Sequence, residues 1–144
     1  MEHKIREYQK RDYTELLSLL DAAYNSTITQ EVLEKEYISS TRSILVAVNE
    51  SDHVVGCTFV EIQEDYVRPN RIAYVTYVAV DENCRRQGIG KKLLAAVEMI
   101  CKIRNCSAIE LTSADFRVGA HEFYKSLGYT KKATTVFIKE LREF

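Results

Sequence analysis

Residues 78–92 read VAVDENCRRQGIGKK, and this stretch predicts a β-strand that passes through a polar turn into an α-helix. Val80 ends an apolar run, and from Ile89 onward apolar residues recur at helical spacing, so the helix begins beside Gly88. The first N–H groups of a helix have no partner within it, and its dipole is positive there, so such a junction is typical of a site that binds a phosphate. The basic residues around the turn are Arg85, Arg86, Lys91 and Lys92.

Two familiar phosphate-binding motifs do not match this turn. A P-loop requires glycine where the chain has Arg85, and it requires Ser or Thr after Lys91, where the chain has Lys92. The dinucleotide-binding fingerprint requires a third glycine where Leu93 stands. The stretch is therefore predicted to be an anion-binding turn of another kind.

The rest of the chain alternates between helix-like and strand-like segments. Apolar residues recur at helical spacing in Leu16–Ala23, after Thr29, which can cap a helix, and in the segment that ends at Gly128. Runs rich in β-branched and aromatic residues predict strands at 5–8, 44–48, 54–62, 72–80, 108–112 and 134–139. The order is β-α-α-β-β-β-α-β-α-β, which indicates an α/β protein whose helices cover both faces of one mixed sheet.

Composition and charge exclude several classes of protein. The chain has 144 residues, 46% hydrophobic and 28% charged, which is typical of a single globular domain over residues 1–144. A formal net charge of -1 gives no reason to expect a nucleic-acid partner. The apolar runs are too short to cross a membrane and no signal-peptide core follows Met1, so we expect a cytoplasmic protein. The four cysteines include no CxxC pair and predict no metal site.

Two motifs together resemble a known family. The run Arg85-Arg86-Gln87-Gly88-Ile89-Gly90 is similar to the Arg/Gln-x-x-Gly-x-Gly pyrophosphate loop of the GNAT acetyltransferase superfamily, and Phe123-Tyr124-Lys125-Ser126-Leu127-Gly128-Tyr129 resembles its C-terminal signature. The order of elements matches that superfamily over nearly the whole chain. The resemblance implies a GNAT-like fold, with a central, mostly antiparallel sheet of six to seven strands flanked by helices on both faces. It also implies an N-acetyltransferase that uses acetyl-CoA as the acetyl donor.

The same resemblance implies roles for individual residues. The backbone of Val78, Ala79 and Val80 would hold the pantetheine arm, and an N–H group near Ala79 would stabilise the oxyanion. Tyr124 matches the tyrosine that gives a proton to the departing thiolate, so it is the predicted catalytic residue. Arg117 stands where many relatives carry an Asn that contacts the cofactor; it either binds a phosphate or an acidic substrate group, or is a solvated residue of the first helical turn. The residues predicted to cradle the pyrophosphate are Arg85, Arg86, Gln87, Gly88, Ile89, Gly90 and Lys91.

The acceptor side is less defined in the sequence. Family members often place a carboxylate on the strand before the pyrophosphate loop, where this chain has Thr76 and Tyr77. Glu61 and Glu110 are the candidates for a general base, and neither is assigned. A set of tyrosines either lines an amine pocket through cation–π contacts or packs in the core, and these are Tyr24, Tyr37, Tyr66, Tyr74 and Tyr77.

The resulting prediction is the transfer of an acetyl group from acetyl-CoA to a primary amine of a small molecule. Two alternatives stay open at this point: acetylation of a protein or peptide amine, and a non-catalytic module that binds acyl-CoA and regulates a partner. Dimers are common in the family, and the final strand is a candidate for edge pairing in a homodimer.

Overall fold

The structure is a computed structural model that describes residues 2–65 and 67–142. The chain forms two compact units, one up to Thr112 and one from Ser113. The first unit contains the sheet and three helices, and the second contains the last helix and the C-terminal residues.

Five strands form the sheet of the first unit, in the order β1-β2-β3-β4-β5. Strands β1 to β4 pair antiparallel with their neighbours, and β5 pairs parallel with β4. Short turns join β2 to β3 and β3 to β4, and such turns favour antiparallel pairing. The sheet is therefore mixed and mostly antiparallel, as predicted. The strands are β1 (Lys4–Glu7), β2 (Arg42–Val48), β3 (Val54–Asp65), β4 (Asn70–Val80) and β5 (Ala108–Leu111).

Three helices accompany this sheet: α1 (Tyr13–Tyr24), α2 (Gln30–Glu36) and α3 (Ile89–Arg104). Thr29 caps α2 as predicted, since its hydroxyl oxygen accepts a hydrogen bond from the Val32 N–H at 3.3 Å. Asn25 ends α1 in the left-handed conformation, with φ 55°. In the described ranges, no helix has both the length and the apolar character that a membrane span needs.

Opposite faces of the sheet carry different helices. Leu16 and Leu20 of α1 and Leu33 of α2 pack with Ile44 and Phe59 in one buried cluster. The helix α3 covers the other face, where its apolar side chains Leu93, Leu94 and Val97 are buried. Helices on both faces are therefore confirmed, and the face that carries α1 and α2 is the one that matters for the acceptor side below.

A buried ion pair fastens β1 to the start of α1. The Arg6 guanidinium contacts both carboxylate oxygens of Asp12, at 2.7 and 2.9 Å, and one oxygen of Asp52 at 3.1 Å. Burial alone would raise the pKa of Asp12, but the hydrogen bonds from Arg6 and from the Gln9 N–H lower it. The carboxylate therefore stays ionised at neutral pH and holds the N-terminal strand in register.

The second unit contains α4 (Val118–Ser126), and Gly128 follows it in the left-handed conformation with φ 93°. The predicted strand at 134–139 is wrong, because these residues form no strand and Val136, Phe137 and Ile138 are 77 to 91% exposed. An alternating pattern gives a segment β propensity, but a strand forms only against a partner, which a pattern does not supply. The described chain therefore has five strands where six to seven were expected.

Gly56 sets how closely α3 approaches the sheet. A Cβ at this position would lie 2.9 Å from Ile89 Cγ2, 3.2 Å from the Ala79 carbonyl oxygen and 3.4 Å from Leu93 Cδ1. Only glycine therefore lets the first turn of α3 lie directly against β3 and the end of β4.

We expect Gly56→Ala to destabilise the protein by about 1–3 kcal/mol, because the added methyl group overpacks this contact. Gly119→Ala is the matched control, since a Cβ at Gly119 meets nothing within 4 Å. The measurement is the free energy of unfolding in urea. Equal stability of the two variants would contradict the proposed close contact.

Candidate functional site

Strand β4 contains a bulge at Tyr77. The pairing of β3 with β4 shifts register between Cys57 and Phe59, and Tyr77 adopts the left-handed conformation with φ 54°. This conformation costs an L-residue about 1–2 kcal/mol, so neighbouring contacts must hold it in place.

Side chains from other elements bind backbone carbonyl groups at and beside the bulge. The Tyr24 hydroxyl donates to the Val78 carbonyl at 2.9 Å, and the Thr58 hydroxyl donates to the Thr76 carbonyl at 3.4 Å. The rings of Tyr24 and Phe59 meet the Tyr77 ring edge to face, with centroids 5.2 and 5.5 Å away. These hydrogen bonds and ring contacts therefore hold the bulge in its conformation.

The Cys57 thiol lies beneath the bulge and donates to the Tyr77 carbonyl at 3.5 Å. Burial raises the pKa of this thiol to about 12, and a backbone hydrogen bond from Ala79 acts in the opposite direction. The thiol therefore stays protonated at neutral pH, and we assign Cys57 a structural role.

Beyond the bulge, β4 has a free edge. Its pairing with β5 covers only Ile72 to Val75, and in the described part of the chain no strand pairs with the outer edge of residues 76–80. The Asp81 N–H donates to the Val55 carbonyl at 2.8 Å. Because N–H groups alternate in direction along the regular stretch that follows the bulge, the N–H of Ala79 also points towards β3 and that of Val80 points to the free edge.

The glycine turn connects this edge to α3. The Asp81 carboxylate accepts a hydrogen bond from the Asn83 N–H at 2.9 Å and starts a short 3-10 turn over Glu82–Cys84. Two later residues, Arg86 and Gly88, have positive φ values of 63° and 76°. Gly88 caps α3, as the sequence predicted, and its carbonyl accepts from the Lys92 N–H at 3.0 Å.

This turn has the features of a site that binds an anion. The N–H groups of Ile89, Gly90 and Lys91 precede the first intrahelical hydrogen bond of α3 and are available to a ligand. A Cβ at Gly88 would meet nothing within 4 Å, so there is open space over the backbone. The exposed side chains around it are Arg85, Arg86, Gln87 and Lys91.

A cleft of about 410 Å³ opens on the sheet face that carries α1 and α2. Three of the candidate tyrosines, Tyr37, Tyr74 and Tyr77, line it, while Tyr24 binds the bulge and Tyr66 lies outside the described residues. Thr76, where family members often place a carboxylate, lines the cleft as well.

The cleft contains one of the two candidate bases and two charged side chains that the sequence did not single out. Glu61 lines it, together with Glu36 and Arg42, and the Arg42 Nε lies 3.7 Å from a Glu61 carboxylate oxygen. The other candidate base, Glu110, is opposite Tyr74 in the register of β5 and is not part of the cleft lining. The alternation of β3 predicts that Phe59 and Glu61 share a face. Glu36, the last residue of α2, and Arg42, the first residue of β2, lie at the two ends of a connection that carries no motif.

Tyr124 lies in α4 of the second unit and is partly buried. Burial raises the pKa of its phenol, while the positive charge of Arg117 acts in the opposite direction. Its ring contacts those of Phe123 and Tyr129, with centroids 5.4 and 5.8 Å away. Arg117 precedes α4, and its guanidinium lies 5.7 Å from the centre of the Phe116 ring.

The sequence pattern of the Acetyltransferase (GNAT) family matches residues 3–129. The chain belongs to the GNAT acetyltransferase family. The family and the mixed α/β GNAT fold were both predicted from the sequence, and both are confirmed.

Several relatives of this GNAT chain have names that state an activity. It is 38% identical over 85 residues to GCN5-related N-acetyltransferase 4, chloroplastic, of Arabidopsis thaliana, covering 54% of this chain and 29% of that protein. It is 28% identical over 120 residues to N-acetylaspartate synthetase of Danio rerio, covering 83% of this chain and 40% of that protein. The chain thus spans less than half the length of these two curated relatives.

A solved structure resembles this GNAT chain over nearly its full length. It is an aminoglycoside acetyltransferase from an uncultured soil metagenomic sample, in complex with trehalose, with a TM-score of 0.84 and 26% identity. The alignment covers 98% of this chain and 97% of that one. The resemblance therefore includes the second unit as well as the sheet.

We expect two substitutions of Gly88 to show separately how backbone strain affects stability and how the space over the turn affects the binding of acetyl-CoA. Gly88→Ala should cost about 1–2 kcal/mol of stability, because alanine resists the left-handed conformation, while Gly88→Asn should cost less, because asparagine tolerates it. Both variants should bind acetyl-CoA more weakly, since each fills the space over the backbone. Urea unfolding and isothermal titration with acetyl-CoA measure the two effects. Unchanged affinity in both variants would contradict the assignment of this turn to the pyrophosphate.

Proposed function

We propose that this protein transfers the acetyl group of acetyl-CoA to a primary amine of a small molecule, with Tyr124 as the general acid. One observation carries the proposal. Tyr77 lines the cleft, and the residues that follow it form the free edge of β4 that leads directly into the glycine turn. A donor bound along that edge would therefore end beside the cleft.

The donor site in this proposal consists of backbone groups and basic side chains. The turn from Arg85 to Lys91 would bind the pyrophosphate through the N–H groups of α3 and its positive end. The backbone of Val78, Ala79 and Val80 would hold the pantetheine arm, and Arg117 would supply a further cationic contact. These assignments rest on the free edge of β4, on the N–H groups at the start of α3 and on the family resemblance.

The reaction exchanges one bond at the acetyl carbon for another. The amine nitrogen forms a C–N bond with the thioester carbonyl carbon, the C–S bond breaks, and the thiolate leaves. Negative charge develops first on the carbonyl oxygen. Of the N–H groups near Ala79, that of Val80 faces the free edge, so it is our candidate for the oxyanion donor, a role worth about 3 kcal/mol in a dry site.

Tyr124 would protonate the departing thiolate. Its raised pKa keeps the phenol protonated well above neutral pH, so the proton is available when the C–S bond breaks. The attacking amine must also lose a proton, either to a side chain or to water, and the general base stays unassigned.

Two findings favour a small molecule as the acceptor. The cleft volume of about 410 Å³ falls within the range of about 300–1,000 Å³ that is typical of small-molecule sites. The structural relative at 26% identity is named as an aminoglycoside acetyltransferase. We therefore place acetylation of a protein or peptide amine second.

Acetyl-CoA should stabilise the protein against heat. A ligand present at about 100 times its dissociation constant adds about 2.7 kcal/mol, so the midpoint of thermal unfolding should rise by several degrees. Differential scanning fluorimetry with acetyl-CoA, and with pantetheine, which lacks the pyrophosphate, as the control, measures this shift. No shift with acetyl-CoA would exclude both the enzyme and a non-catalytic acyl-CoA-binding module.

Tyr124→Phe should lower kcat by about 100-fold or more while the affinity for acetyl-CoA stays the same, because only the proton donor is removed. Thiol release from acetyl-CoA in the presence of an amine measures the rate. Tyr129→Phe is the matched control, since it removes a hydroxyl from the same ring cluster. Full activity of Tyr124→Phe would disprove the general-acid role but not the transfer reaction, whereas no thiol release by the wild type with any amine would favour the binding module.

A further inference from the structure

The cleft has two different ends. The strand register places Arg42, Glu61 and Tyr74 in one row across β2, β3 and β4, and it places Phe59 beside Thr76 in the next row towards the bulge. Tyr77 lies three residue steps after Tyr74 in β4, a distance of about 10 Å along a strand. The row that contains Glu61, called the carboxylate row below, therefore lies about 10 Å from the bulge. The free edge of β4, which is proposed to bind the donor, begins at that bulge.

Aromatic rings form the wall between these two ends. The Tyr37 and Phe59 rings meet edge to face with centroids 6.0 Å apart, and the Phe59 and Tyr77 rings do so at 5.5 Å. Tyr37 and Tyr77 are 40 and 49% exposed, so their rings are accessible from the cleft. Exposed aromatic faces suit an alkyl chain and attract a cation.

The end of the cleft that lies far from the bulge has a net negative charge. Two acidic residues, Glu36 and Glu61, line it together with one basic residue, Arg42, whose guanidinium donates to the backbone carbonyl of Glu36 at 2.8 Å. The contact between Arg42 and Glu61 is long, at 3.7 Å, and the side chains are 44 and 38% exposed. A pair of this kind contributes little stability, so an incoming ammonium group can take the Glu61 carboxylate at small cost.

We infer that the acceptor is a polyamine-like cation, in which one primary amine reacts at the bulge while a second ammonium group binds Glu61 at the far end of the cleft. This inference rests on the proposed function and names the substrate class of the same site. Glu61 is then an acceptor-binding residue, with Glu36 adding to the negative field and the aromatic wall covering the chain between the two nitrogens. Arg42 opposes the binding of the second ammonium group.

A series of α,ω-diaminoalkanes tests this inference against n-alkylamines of equal length. For the wild type, kcat/KM should be about tenfold or more higher for a long diamine than for the matching monoamine, since a hydrogen bond to a charged group is worth that much. The advantage should appear only once the diamine is long enough to span the cleft. Equal kcat/KM for diamine and monoamine at every length would overturn the inference and leave the proposed function standing.

Two variants of the cleft should move this preference in opposite directions. Glu61→Gln should reduce the advantage of the diamine mainly through KM, whereas Arg42→Gln should increase it. Glu64→Gln is the matched control on the same strand, because Glu64 pairs with Arg71 at 3.1 Å and is not part of the cleft lining. A fall in kcat with both substrates for Glu61→Gln would indicate a general base and overturn the binding role. The binding role of Glu61 would also be overturned if the wild type preferred an amine that carries a carboxylate and Arg42→Gln abolished that preference.

Failure of the proposed function gives a different result. If no amine releases thiol, calorimetric titration of a long diamine into the protein with bound coenzyme A still tests the cleft. Binding that Glu61→Gln weakens and Glu64→Gln does not would support the cation site without catalysis. Absence of binding would overturn the inference independently.

Discussion

The bulge in β4 is the constraint on which the site depends. A regular pairing of β3 and β4 would leave Tyr77 in the ladder, but the register shift turns its backbone into the left-handed region and its ring towards Tyr24 and Phe59. The strain is offset by the hydroxyl of Tyr24 on the Val78 carbonyl and by that of Thr58 on the Thr76 carbonyl. The bulge thus opens the cleft on one face of the sheet and changes the direction of the part of β4 that follows it.

The position of α3 depends on the same region of the sheet. Gly56 leaves room for Ile89 and Leu93, so the helix begins directly over the end of β4 and its unpaired N–H groups stand at the end of the free edge. The helix is anchored by apolar residues such as Leu93 and Val97, which are fully buried. The exposed side chains of Arg85, Arg86 and Lys91 take no part in that anchoring, so they are available for an anion.

The sequence was sufficient to predict the features that depend on local interactions. The change from strand to helical period at Gly88, the cap at Thr29 and the order of the first five strands are all encoded within short segments, and the structure agrees with them. The carboxylate row was not predictable, because the contact of Arg42 with Glu61 depends on the register between β2 and β3. The bulge was missed for a related reason: no glycine marks Tyr77, so its positive φ is set by tertiary contacts. The segment 134–139 shows the opposite error, a local preference for a strand without a partner.

A net charge of -1 conceals a separation of charge along β4. The basic turn at Arg85 and Arg86 follows the strand, and the carboxylates of Glu36 and Glu61 lie beside its earlier part, so an anionic donor and a cationic acceptor would be drawn to different ends of one element. Acetylation converts the reacting ammonium group into a neutral amide. If the proposed reaction is correct, the product therefore loses part of the attraction that held the acceptor, while the cleft itself is unchanged for the next acceptor molecule. The same electrostatic arrangement would then favour both the binding of the acceptor and the release of the product.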